Sequence, residues 1–103
     1  MTIVVTAMFT PKDGARDQVV AALEPAIAEV HKEPGCLLYA IHDAPNGQIV
    51  MIEKWETAEL LDAHGGGDAV KRLNAALEGL LAEPVDVTRL IPIPAGTAQQ
   101  GAL

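Results

Sequence analysis

Four antiparallel strands covered on one side by helices, an α+β fold, is the architecture this 103-residue sequence predicts. Three observations carry that expectation. Short segments rich in β-branched residues recur near residues 2–10, 36–42, 49–56 and 85–91, each alternating or continuously apolar. Between the first two and the last two of these segments the apolar period changes to that of a helix. The resulting order, strand, helix, strand, strand, helix, strand, is the split βαβ or ferredoxin-like arrangement.

The first strand, residues 2–10, sets Ile3, Val5, Ala7 and Phe9 on one face and Val4, Thr6 and Met8 on the other. Pro11 ends it and Lys12-Asp13-Gly14 forms a turn. From Ala15, the residues Val19, Leu23, Ala26, Ile27 and Val30 recur at helical spacing. Pro25 lies inside this helix, where a missing N–H predicts a bend or a broken turn, and Pro34-Gly35 stops it. The second strand covers residues 36–42, and Asn46-Gly47 predicts a hairpin to the third. In the third, Ile49, Met51, Glu53 and Trp55 share one face, and Val50, Ile52, Lys54 and Glu56 the other. Thr57 or Glu56 can cap a short helix over residues 58–64, which Gly65-Gly66-Gly67 interrupts. A further helix is expected from a cap at Asp68, with Val70, Leu73, Ala76, Leu77, Leu80 and Leu81 on one stripe and Pro84 as its end. Residues 85–91 form the last strand. One domain over residues 1–92 and a flexible tail over 93–103 complete the expected organisation.

Half of the residues are hydrophobic and a fifth are charged, so the chain is expected to be globular. Seven basic against fourteen acidic residues leave a formal charge of −7, which disfavours a nucleic-acid partner. No apolar run has membrane-spanning length and no leader-like segment opens the chain, so a cytoplasmic protein with no membrane partner is expected. Cys36 is the single cysteine, which excludes an internal disulfide.

Counting faces leads to a partner. The helices can cover only one side of the sheet, yet both sides of the first three strands are apolar. An uncovered patch of several hundred Å2 is rare on a soluble monomer. Burying ~500 Å2 of it per partner at ~25 cal/mol/Å2 offers roughly 12 kcal/mol per chain before association costs. A homodimer, sheet against sheet, is therefore expected. The Pro- and Gly-containing tail is a poorer candidate for the cover.

Candidate chemistry is sparse. His31, His42 and His64 are far apart with no metal-ligand spacing, so no metal site is expected. Serine is absent, and Cys36, at a strand start without an adjacent base, reads as a small buried hydrophobe. The three glycines precede a helix but lack the Lys-Ser/Thr of a phosphate loop, and read as a joint. Trp55 and His64 stand nine residues apart across a strand end and a two-turn helix. That spacing can bring the imidazole back over the strand end as a base or hydrogen-bond donor, or leave it at a frayed helix end in solvent. Trp55 is either an aromatic wall for a ligand or ordinary core, and Tyr39 either donates its hydroxyl to a ligand or reaches the rim of the core.

The segments Glu33-Pro34-Gly35-Cys36-Leu37-Leu38-Tyr39, Glu53-Lys54-Trp55-Glu56 and Leu60-Leu61-Asp62-Ala63-His64 resemble the antibiotic biosynthesis monooxygenase family, and most nearly its small quinol monooxygenases. The resemblance spans residues 2 to about 92. It implies a dimeric α/β barrel of ferredoxin-like subunits that oxidises phenols, quinols or polyketide aromatics with molecular oxygen and no cofactor. It further implies that the deprotonated substrate passes an electron to oxygen, with His64 as the catalytic base and Trp55 and Tyr39 binding the substrate. Where many relatives continue with a Ser-Pro-His-Phe-like segment, this chain has Gly65-Gly66-Gly67-Asp68. The haem-degrading branch carries an asparagine near the end of the first strand, and Ala7 here implies that haem degradation is not the activity. The competing class is a non-catalytic dimeric barrel that binds a small hydrophobic molecule or serves in a stress response.

Overall fold

A computed structural model describes residues 1–103. The elements follow in the order β1 (Ile3–Phe9), α1 (Arg16–Val30), β2 (Cys36–Asp43), β3 (Ile49–Trp55), α2 (Ala58–Gly65), α3 (Asp68–Leu77) and β4 (Asp86–Leu90). The strands form one antiparallel sheet in the order β2-β3-β1-β4, which is the ferredoxin-like topology. Asn46 sets the β2–β3 hairpin by accepting the Gln48 N–H on Oδ1 at 3.0 Å. Thr57 caps α2, its hydroxyl accepting the Leu60 N–H at 3.2 Å.

All three helices lie on the same side of the sheet. From β1 the residues Val5, Ala7 and Phe9 face them, and from β3 Ile49, Met51, Glu53 and Trp55. The helices answer with Val19, Leu23, Ala26 and Val30 on α1, Leu61 and His64 on α2, and Ala69, Leu73 and Leu77 on α3. Spacings of three and four residues on each helix are what one buried stripe requires. The opposite face, with Val4, Met8, Leu38, Ala40, Val50 and Ile52, carries no helix, although Val4 itself is buried, and the molecule is a slab only 19 Å thick. Its accessible surface of 6300 Å2 exceeds the ~5,500 Å2 expected of a folded monomer of this mass.

Three local expectations are corrected. Helix α1 runs unbroken through Pro25. Pro25 and Ala21 both lie on the exposed side, so the carbonyl left without its donor can be hydrated at little cost. Helix α3 stops at Leu77 instead of continuing through Leu81. Gly79, at φ 80°, turns the chain there, and Leu80 and Leu81 pack against the core from a loop whose Ala82 N–H bonds to Thr10 O. The N-cap of α3 is Gly67, and Asp68 is its first residue, where its charge still favours the helix N-terminus.

Candidate active site

Register across the sheet assembles the floor of a cavity. Tyr39 on β2 pairs with Glu53 on β3, Glu53 with Val5 on β1, and Val5 with Arg89 on β4. All four side chains point to the helix side, so one row crosses every strand. Above it lie Leu61, His64 and Gly65 of α2 and Val70, Leu73 and Asn74 of α3. The half-open cavity has a volume of about 290 Å3, near the lower end for small-molecule sites, and fits a ligand of one or two rings. The mouth lies along β4, where Val87 is 60% exposed and Arg89 reaches over to bond Asp62 of α2 at 2.7 Å.

The inner end is polar. His64 Nδ1 lies 2.7 Å from Glu33 Oε1, and both side chains are largely shielded from water. A carboxylate oxygen accepts, so Nδ1 donates, and in the neutral imidazole that leaves the lone pair on Nε2. Nε2 has no partner within the chain. No fully buried side-chain nitrogen or oxygen lacks one, so Nε2 is not fully buried, and His64 lines the cavity. The tilted imidazole rests on the indole of Trp55 at 4.5 Å between centroids, and Tyr39 meets it edge-on at 5.4 Å. Two contacts fix its position: the indole beneath and the Glu33 carboxylate behind.

Gly35 makes the second contact possible. Its φ is 83°, and a Cβ there would meet Leu60 Cδ1 at 2.5 Å. The turn after α1 can therefore press against α2, which places Glu33 within reach of His64, thirty-one positions away.

Trp55 is fully buried and lies one layer behind the cavity wall, not in it. Its indole N–H donates to Glu53 Oε1 at 2.9 Å, and Glu53 lines the cavity. Tyr39 also lines the cavity. Burial, and then the nearby Glu53 and Glu33 charges, hold its phenol far above the ordinary value, so it remains a donor. Burial likewise raises the Glu53 carboxyl, partly offset by the Trp55 hydrogen bond and by the fields of His64 and Arg89.

The structure thus brings His64, Trp55 and Tyr39 together and adds two acids that sequence reasoning did not assign. Glu53 had a signal, an acidic residue on the inward face between Met51 and Trp55. Glu33 had none, because only the folded turn brings it to α2. Cys36 stays outside the cavity, and burial raises its thiol, as befits an unreactive residue.

Comparison with known proteins agrees with this fold. Residues 2–76 match the family described as "Antibiotic biosynthesis monooxygenase". A Mycobacterium tuberculosis protein named "Putative monooxygenase Rv0793" is 32% identical over 97 residues, covering 93% of this chain and 96% of that one. The solved structure of Rv0793 superposes with a TM-score of 0.85 at 30% identity, over 94% of this chain and 100% of that chain. A conserved protein from Methanosarcina mazei Go1 shares the fold at a TM-score of 0.82 and 23% identity, over 87% and 91% of the two chains. With a family match over nearly three quarters of its length, the chain belongs to the antibiotic biosynthesis monooxygenase family.

Proposed function

We propose that the protein is a homodimeric, cytoplasmic, cofactor-independent monooxygenase that oxidises a small phenolic or quinol substrate with molecular oxygen. For a phenol with a free ring position the balance is phenol plus O2 to quinone plus water, and no external reductant is consumed. The observation that carries the reading is His64, which lines a mostly apolar cavity of one-to-two-ring size with Nδ1 held by Glu33 and Nε2 left without a partner in the chain. In that arrangement Nε2 takes the phenolic proton, and the Glu33 carboxylate stabilises the imidazolium that results. Val5, Ala7, Phe9 and Leu73 keep water from the phenolate, which raises its tendency to give an electron to oxygen. Tyr39 can donate its hydroxyl to the substrate oxygen, and Trp55 holds the imidazole from behind. The uncovered sheet face supports the dimer, because a second copy is a cover of matching size and chemistry.

An oxygen electrode provides the test, with menadiol- and anthrone-like substrates offered to the wild type, His64→Ala and Trp55→Phe. Enzyme-dependent uptake in the wild type that drops ~100-fold or more in His64→Ala is expected. No uptake with any such substrate, or equal rates in all three proteins, would overturn the assignment and leave a hydrophobic-ligand carrier as the reading to pursue.

A further inference from the structure

The proposed base accounts for one proton, yet forming a quinone from a phenol moves two. The phenolic proton goes to His64, and a second must leave the ring carbon that gains oxygen. Glu53 is the buried titratable group that the first step does not use.

Its surroundings are unusual for an ionised carboxylate. Glu53 is 5% exposed, one oxygen accepts the Trp55 N–H, and no Lys or Arg pairs with it. A carboxylate has about four acceptor sites, and leaving most of them unfilled in a buried setting is costly. The facing groups are Tyr39 from β2, His64 from α2 and Arg89 from β4, with Arg89 engaged by Asp62. None of them forms an ion pair with Glu53. The second oxygen, Oε2, has no hydrogen-bond partner within the chain and is not fully buried, and Glu53 lines the cavity. A carboxyl with one anchored oxygen and one free oxygen can give a proton and take another without moving.

We infer that Glu53 is a second catalytic residue, which protonates the oxygen-bound intermediate and then accepts the proton from the ring carbon. The inference rests on the monooxygenase reading. The phenolate passes one electron to O2, and the radical pair joins to form a bond between the ring carbon and oxygen. Glu53 gives its proton to the distal oxygen, forming a hydroperoxide. The Glu53 carboxylate then removes the hydrogen on the same carbon. The C–H pair becomes the second bond of the new carbonyl, the O–O bond breaks, and the departing hydroxide takes the proton from His64. Quinone and water leave, and both residues return to their starting states.

The test compares wild type, Glu53→Gln and Glu53→Asp by oxygen uptake, quinone absorbance and hydrogen peroxide release with a phenol or anthrone that the wild type turns over. Gln keeps an acceptor for the Trp55 N–H but carries no exchangeable carboxyl proton. Expected in Glu53→Gln is a quinone yield at least ~100-fold slower, KM within about threefold, and oxygen consumption diverted to hydrogen peroxide. Glu53→Asp, one methylene short, is expected to recover part of the quinone rate and lower the peroxide share. Unchanged kcat and product ratio in Glu53→Gln overturn the role of Glu53 while leaving the monooxygenase reading intact. Absence of turnover in the wild type overturns both. Should Glu53→Gln lose the near-ultraviolet signature of a folded Trp55, Glu53→Asp decides: quinone as its main product sustains the proposal, and peroxide alone refutes it.

Discussion

Replacing Trp55 by Phe should destabilise the protein by about 3 kcal/mol, and each contribution can be read from the structure. Trp55 is the largest of the fully buried side chains. Phe removes roughly two buried ring carbons, worth ~1.5 kcal/mol of transfer free energy. The void left between the sheet and His64 adds ~0.5 kcal/mol, because a packed core relaxes only in part. Losing the indole N–H strips Glu53 Oε1 of its donor, a further ~1 kcal/mol for a group with little access to water. A loss near 3 kcal/mol is large against the 5–15 kcal/mol typical of a domain. Urea unfolding reads it directly: at a slope of ~1–1.5 kcal/mol/M the midpoint falls by ~2–3 M. Protein concentration must be equal for both proteins, since association would shift the midpoint. A cycle with Glu53→Leu isolates the hydrogen bond, with a coupling near ~1 kcal/mol expected. A total loss below ~1 kcal/mol, or a coupling indistinguishable from zero, refutes the view of Trp55 as the anchor beneath the site.

Three further outcomes are expected. Gly35→Ala meets Leu60 and an unfavourable φ together, so it should cost ~2 kcal/mol or more and also lower oxygen uptake by loosening Glu33 from His64; a fully stable, fully active variant contradicts this. Because burial raises the folded-state carboxyl of Glu53, its contribution to stability is present at acid pH and is lost as pH rises through the folded value. Glu53→Gln should therefore gain stability relative to wild type as pH is raised from about 4 to 8, and parallel stability curves for the two proteins exclude the effect. Ile52→Asp, on the open face, should shift a sedimenting dimer toward a single 10.8 kDa particle, whereas a wild type already monomeric at micromolar concentration removes the argument from the uncovered sheet.

Element type was readable because it depends on neighbours in the chain. Alternation in Ile49–Trp55 and three-four spacing in Val19, Leu23, Ala26 and Val30 follow from backbone period alone. The excess of apolar faces over helices was equally a matter of counting. Helix ends were less legible: Leu80 and Leu81 kept the helical spacing, but the strain-free positive φ of Gly79 and the bond from Ala82 to Thr10 ended α3 earlier.

The sequence by itself determined the class of fold, the inward direction of Trp55 and the presence of an acid on the inner face of β3, since each follows from local geometry. Only the tertiary structure decided that Glu33 would hold His64, that Trp55 would support the cavity from behind, and that Glu53 would keep one oxygen free. Those outcomes depend on the distance of closest approach between elements. Packing at Gly35 and the register of four strands set that distance, and neither is written in any one stretch of chain.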